Sequence, residues 1–185
     1  MANQRQSRQR RGRPGDEHDE FGQATIDLAR VTRVMAGGKR MRFRACIAIG
    51  DKKGRIGLGV AKGADVALAI TKATNDAKKN LTKIHITAEG SVPHQARIKW
   101  HSSKLLIKPA PVGTGIIAGS VLRQIFDLAG IRNVVGKVFG APNKINNARA
   151  LIKVLSEMKP PRERRSIKSG KEKTEPEADK TPNTK

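Results

Sequence analysis

The sequence predicts an α+β protein made of two consecutive units, β-β-β-α and then β-β-α-β-α, flanked by basic tails without regular structure. Three observations carry this. Residues 40–49 alternate, with Met41, Phe43, Ala45, Ile47 and Ile49 on one side and Arg40, Arg42, Arg44, Cys46 and Ala48 on the other. Apolar residues recur at helical spacing in three later stretches, each opened or closed by Gly, Asn or Asp. Both ends of the chain lose large apolar residues: 1–20 are rich in Arg, Gln and Gly, and 159–185 in Lys, Glu, Pro and Thr.

The first unit spans 21–88. Residues 28–36 and 40–49 form β segments joined by Gly37-Gly38, which tolerates a turn with positive φ. The three arginines at the start of the second segment either hold phosphates or form a solvated face. Asp51-Lys52-Lys53-Gly54 makes the next turn, and Arg55 to Ala61 a third strand, with Ile56, Leu58 and Val60 on one side and Gly57 and Gly59 on the other. Glycine on one strand face permits close approach of another backbone. Asp65 is placed to meet free N–H groups at a helix start, and Val66, Ile70, Ala73, Ala77 and Leu81 follow at helical spacing. Lys78-Lys79-Asn80 closes that helix, and Leu81 to Ile86 is a strand or a linker.

The second unit spans 89–158, with Glu89-Gly90-Ser91 as the boundary. Two short strands, 94–100 and 103–108, meet around His101-Ser102-Ser103. Gly113-Thr114-Gly115 leads into a helix from Ile116 to Ala129, striped by Ile117, Val121, Ile125 and Leu128, with Gly130 past its end. Residues 131–139 form a strand, Pro142-Asn143 a turn, and Lys144 to Met158 a helix with Ile145, Ala148, Ile152 and Leu155 inward.

Charge decides the class of partner. The 185 residues carry 38 Lys and Arg against 16 Asp and Glu, a net of +22 with an isoelectric point near 11.0. Residues 21–158 alone hold 24 cations and 7 acids, a net of +17, so the folded body itself is basic. Such an excess costs self-repulsion unless a polyanion neutralises it. Aromatic residues are only 3%, with no Tyr, so recognition through Lys and Arg on a phosphate backbone is favoured over stacking on bases. Cys46 is the sole cysteine, which excludes an intrachain disulfide and points to a reducing compartment. No apolar run is long enough to span a membrane.

Catalytic and cofactor patterns are absent. His18, His85, His94 and His101 stand at no metal-ligand spacing, no serine sits in a nucleophile elbow, and Cys46 reads as a small packed residue. Gly113-Thr114-Gly115 with Gly119 is not the dinucleotide fingerprint. It fits a nucleic-acid phosphate or protein contact, or a purely structural turn. No enzyme, cofactor or metal is expected.

The residues also carry a resemblance. Arg30-Val31, Val34, Gly37-Gly38-Lys39-Arg40, Phe43, Ala45, Gly50-Asp51, Gly54-Arg55-Ile56-Gly57 and Ala77-Lys78-Lys79-Asn80-Leu81 resemble the double-stranded-RNA-binding-like (dsRBD-like) domain of the bacterial small-subunit ribosomal protein S5 (uS5) family. Pro93-His94, Leu106, Lys108-Pro109-Ala110, Gly113 to Gly119, Leu128 to Ile131, Gly140 and Asn146 resemble its second domain, in the same order. Ala36, Leu58, the segment 64–67 and Lys144 depart from the family pattern and mark a divergent lineage.

The resemblance implies a structural constituent of the 30S subunit in the bacterial cytoplasm. It implies binding to 16S rRNA near the neck and central pseudoknot, contact with ribosomal proteins uS4 and uS8, and a place beside the channel through which mRNA enters. Influence on decoding accuracy and mRNA unwinding follows from the same likeness, as does an approach of Gly37 to Arg40 to the rRNA head and the spectinomycin region. Neither a membrane nor self-association is expected. Arg30, Arg33, Gly37, Gly38, Lys39, Arg40, Arg42, Arg44, Lys52, Lys53, Arg55 and Lys62 are the expected rRNA-binding residues. The rival classes are a phosphate-handling enzyme using Gly113 and Gly115, and a free regulatory RNA- or DNA-binding protein.

Overall fold

The computed structural model describes residues 21–160; the tail expectations for 1–20 and 161–185 lie outside the described residues. Three long antiparallel strands open the chain: β1 (Gly22–Met35), β2 (Gly38–Gly50) and β3 (Arg55–Gly63). Helix α1 (Val66–Lys79) and a short β4 (Leu81–Lys83) follow, giving a four-stranded sheet in the order β1-β2-β3-β4. The stretch 81–86 thus resolves into a three-residue edge strand, so the first unit ends β-α-β rather than at the helix. Where β4 no longer covers β3, Asp76 of α1 does so, its Oδ2 accepting from the Val60 N–H at 3.1 Å.

α1 packs on the face carrying Ala45, Ile47 and Ile49, and buries Ala69, Ala73 and Ala77. Of the expected stripe, Ala73 and Ala77 are buried and Ile70 packs at the margin of their cluster, whereas Val66 is only half-buried and Leu81 is exposed; Ala69 completes the buried face. Small residues win this interface because Gly57 and Gly59 face the helix. A methyl group at Gly59 would collide with the Ala73 carbonyl oxygen, and one at Gly57 with that of Ala77. Asp65 takes the N-cap position, but its carboxylate caps nothing; only its carbonyl is used, by Ala69 N–H at 3.0 Å.

The second sheet runs β5-β6-β8-β7, from β5 (Ala96–Trp100), β6 (Ser103–Pro109), β7 (Ile116–Ile117) and β8 (Val134–Val138). The expected helix from Ile116 divides. Ile116 and Ile117 pair in parallel with Val134 and Val135, and α2 proper is Ser120–Ala129, closed by Gly130 with φ 86°. α2 buries Val121, Leu122, Ile125, Phe126, Leu128 and Ala129. In α3 (Lys144–Glu157) the buried face is Asn147, Ala148, Ala150, Leu151, Val154 and Leu155, whereas Ile145 and Ile152 lie at its margin. Asn143 opens α3 as an N-cap, its side chain accepting from the Ile145 and Asn146 N–H groups.

One core joins the two sheets. Cys46, Ala48, Ile56 and Ile26 of the first lie in the same apolar cluster as Leu122, Ile125, Phe126, Leu151 and Leu155 of the second unit. The inner half of β2 is therefore covered on both faces, by α1 on one and by α2 and α3 on the other. Backbone bonds add to this: Lys52 N–H and Gly54 N–H donate to the Leu128 and Ala129 carbonyls at 3.0 and 3.1 Å. The β2–β3 turn thus supplies partners for carbonyls at the end of α2, which its own helix leaves open.

Candidate nucleic-acid interface

β1 and β2 outrun the rest of their sheet. Pairing with β3 stops at Phe43 and Gly63, while β1 and β2 continue together to Met35 and Gly38. This leaves a two-stranded arm projecting roughly 17 Å at the usual rise of an extended strand. Gly38 turns it with φ 132°, which a side chain rarely adopts. From Leu28 to Phe43 the arm holds Arg30, Arg33, Lys39, Arg40 and Arg42 and no acid.

Register decides which cations act together. Arg33 lies opposite Arg40, Val31 opposite Arg42, Ala29 opposite Arg44, and Arg44 opposite Lys62 on β3. These share the face that deeper in the sheet packs on the second unit. Arg33, Arg40, Arg42 and Lys62 surround a hollow of about 300 Å³ whose floor includes Val31, Thr32 and Met35. Arg30 and Lys39 point to the opposite face, with Phe43 and Met41 as their respective same-face neighbours. Among the described residues no carboxylate pairs with Arg30, Arg33, Lys39, Arg40, Arg42 or Lys62.

Two expected residues are engaged within the protein. Arg44 donates from Nη2 to Asp27 Oδ2 at 3.2 Å, anchoring the base of the arm. Arg55 holds Asp51 Oδ2 through Nε at 2.6 Å and lies over the Phe21 ring, 5.4 Å from its centre. Lys52 and Lys53 are exposed on the β2–β3 turn, at the other end of the sheet from Gly37-Gly38. The expected set therefore divides into an arm and a distant turn.

The Gly113-Thr114-Gly115 loop faces inward with its amides. Gly113 N–H and Gly115 N–H both donate to Asn133 Oδ1 at 3.2 Å, and Thr114 N–H to the Pro111 carbonyl at 3.3 Å. Asn133 is itself buried and donates from Nδ2 to the Glu89 carbonyl at 3.0 Å. A phosphate cradle needs outward N–H groups, and none of these three is left over. Of the readings open for this loop, the structural turn accounts for its backbone. Cys46 is fully buried, and burial, with the Asp27 charge, pushes its thiol up to about 11, so it holds no nucleophilic thiolate near neutrality.

A second basic face was not expected. Ala96, Ile98, Leu105, Ile107, Val134 and Val138 point into the core, so the alternate residues Arg97, Lys99, Lys104, Leu106, Lys108, Val135 and Lys137 form the outer face of the second sheet. The signal was present as cations at 97, 99, 104, 108 and 137 that alternate with core residues along their strands, but each strand alone reads as an ordinary solvated edge.

Comparison with known proteins gives the family. Residues 21–85 match the family model described as ribosomal protein S5, N-terminal domain, and residues 98–167 that of the C-terminal domain. The chain belongs to the ribosomal protein S5 family. It is 40% identical over 159 residues to small ribosomal subunit protein uS5 of Nostoc punctiforme, covering 86% of this chain and 90% of that one. It is 38% identical over 152 residues to uS5c of Emiliania huxleyi, covering 82% and 96%. To uS5 of Synechococcus elongatus it is 38% identical over 144 residues, covering 78% and 80%. As an S5-family member it is a structural constituent of the small ribosomal subunit and not an enzyme. The resemblance read from the glycine and basic motifs and the two-unit α+β fold both hold for this S5-family chain. No helix among the described residues is long and apolar enough to cross a membrane.

Proposed function

We propose that the β1–β2 arm is the principal rRNA contact of this protein. Arg33, Arg40, Arg42 and Lys62 grip phosphates on one face, and Arg30 and Lys39 reach others from the opposite side. The observation that carries this is the acid-free arm, whose cations have no ion-pair partner among the described residues. Bringing them together costs repulsion that phosphates relieve, and each phosphate neutralised releases counterions. Gly37 and Gly38 keep the tip slim enough to enter a groove. Lys52 and Lys53 give a second point of contact, while Arg44 and Arg55 chiefly hold the scaffold.

In the same proposal the RNA is 16S rRNA, residues 21–88 are the dsRBD-like rRNA-binding unit, and the apolar and glycine-rich elements of 89–158 contact neighbouring proteins such as uS4 and uS8. The exposed Val112 and Ile117 flanking the Gly113 to Gly115 loop suit a protein neighbour better than a phosphate. A place beside the channel through which mRNA enters, with influence on accuracy and unwinding, follows from the family likeness.

The test is the triple variant Arg33→Ala, Arg40→Ala, Arg42→Ala in the full chain, titrated against a 16S rRNA fragment over a range of salt. Loss of three phosphate contacts lowers the slope of log affinity against log salt by about 2 to 3. An unchanged slope with an intact fold by circular dichroism overturns the assignment.

A further inference from the structure

The outer face of the β5-β6-β8-β7 sheet has the make-up of a platform for unpaired RNA. Its rows can be laid out from the register. Lys99 lies opposite Lys104, and Lys104 accepts at its carbonyl from the Phe139 N–H at 2.8 Å. Arg97 lies opposite Leu106, which lies opposite Lys137; Lys108 lies opposite Val135, which pairs with Ile117. Rows on one face are spaced by about 7 Å along the strands. The result is an apolar middle of Leu106, Val135 and Phe139 with five cations around it, and none of β5, β6 or β8 contains Asp or Glu.

Phe139 is the decisive residue. The chain has four Phe and one Trp, and Phe126 is buried while Phe21, Phe43 and Trp100 are half-covered. Phe139 alone among these aromatics is mainly exposed, at 56%, and it stands where the cations converge. The Arg97 guanidinium lies 6.0 Å from its ring centre. An exposed ring costs solvation with no return from the core, whereas a ring among cations offers a base its face and the adjoining phosphates their charge. Duplex RNA hides its base faces, so a duplex would use the cations and leave the ring idle.

We infer that this face binds an unpaired segment of rRNA, with a base stacked on Phe139 and phosphates on Lys99, Lys104 and Lys137. The site is separate from the arm, and each can fail without the other.

Fluorescence anisotropy of the full chain with a labelled oligouridylate of about twelve nucleotides tests it. Phe139→Ala weakens this binding by about 5- to 100-fold, the cost of one lost stack, while leaving the salt slope and the affinity for an RNA duplex of about 16 base pairs in place. Phe139→Trp restores binding, which a merely structural role would not require. Lys99→Ala with Lys104→Ala instead lowers the salt slope. Equal loss on both RNAs, or no loss on oligouridylate, overturns the inference. To fix the source of the RNA, a photo-crosslinking phenylalanine analogue is placed at Phe139 in small subunits free of mRNA. Capture of rRNA supports the inference, and capture of protein alone, or of RNA only after mRNA is added, overturns it.

Discussion

Lys144 Nζ lies 3.3 Å from Asp27 Oδ1, tying the first residue of α3 to the base of the β1–β2 arm. Asp27 also holds Arg44 through its other oxygen, and it sits beside the irregularity in β1 that drops Ile26 into the core. A bulge of this kind bends the strand that carries it. One carboxylate therefore fixes where the arm leaves the body and how it is aimed at RNA.

Asp27→Asn is expected to lower the unfolding free energy by about 1–2 kcal/mol, because a hydrogen-bonded, partly shielded pair and a weaker exposed one are both lost. Lys144→Pro is expected to change stability by no more than about 0.5 kcal/mol. It loses the exposed pair, but proline suits the first helical position and removes a cation from the positive end of the helix. Urea denaturation of the two variants separates these outcomes.

Asn133→Ala frees the amides of Gly113 and Gly115 and the Glu89 carbonyl together. The expected cost is about 2–3 kcal/mol, the range for unpaired polar groups that are partly buried. Amide exchange gives the local signature: Gly113 and Gly115 lose protection while α1 keeps its own.

Gly59→Ala forces α1 away from β3, since the new methyl has the Ala73 carbonyl in its place. A loss of about 3 kcal/mol or more is expected, at the upper end for overpacking. Gly37→Ala, with open space around it, is expected to alter stability by under about 0.5 kcal/mol. Thermal melts of the pair measure the contrast.

Asp51 gives a pH dependence. Burial alone would raise its carboxyl, but the Arg55 side-chain hydrogen bond, the Arg55 and Lys53 backbone N–H groups and the Arg55 charge outweigh it and hold the group below its ordinary 3.8. A carboxyl made more acidic by folding contributes in full above its unfolded value, and the contribution is lost as pH falls through 3.8 and below. Asp51→Asn is therefore expected to cost about 1 kcal/mol near neutrality, and the gap to the parent is expected to narrow as pH falls below 3.8, measured by urea midpoints across acid pH.

β2 and β3 were legible because β2 alternates and Gly37-Gly38 and Gly54 punctuate it, whereas β1 was expected only from residue 28 and in fact begins at Gly22, its early part being interrupted by the irregularity between Thr25 and Asp27. Short pairings were not legible. β4 has three residues and β7 two, too few to show a period, and they exist only because β3 and β8 offer open edges. The stripe of α1 was legible at Ala73 and Ala77 but not at Ala69, because the larger Val66 and Ile70 outweigh an alanine in any hydropathy count, whereas the glycine face of β3 brings the helix close enough to favour alanines. In the candidate site the arm cations could be named from sequence, but not divided between its faces and the distant turn. That Arg44 and Arg55 are held by Asp27 and Asp51 is decided by register and turn geometry. The basic outer sheet face appears only once β5, β6 and β8 lie side by side.

The seam through Cys46, Ala48 and Ile56 has a consequence for how this chain can be handled and inherited. Its two family modules are not portable. A break made between Thr87 and Val92 would leave one product with a bare greasy sheet and the other with α2 robbed of the turn that finishes it. Each is expected to precipitate, and to become soluble again only when both are made together.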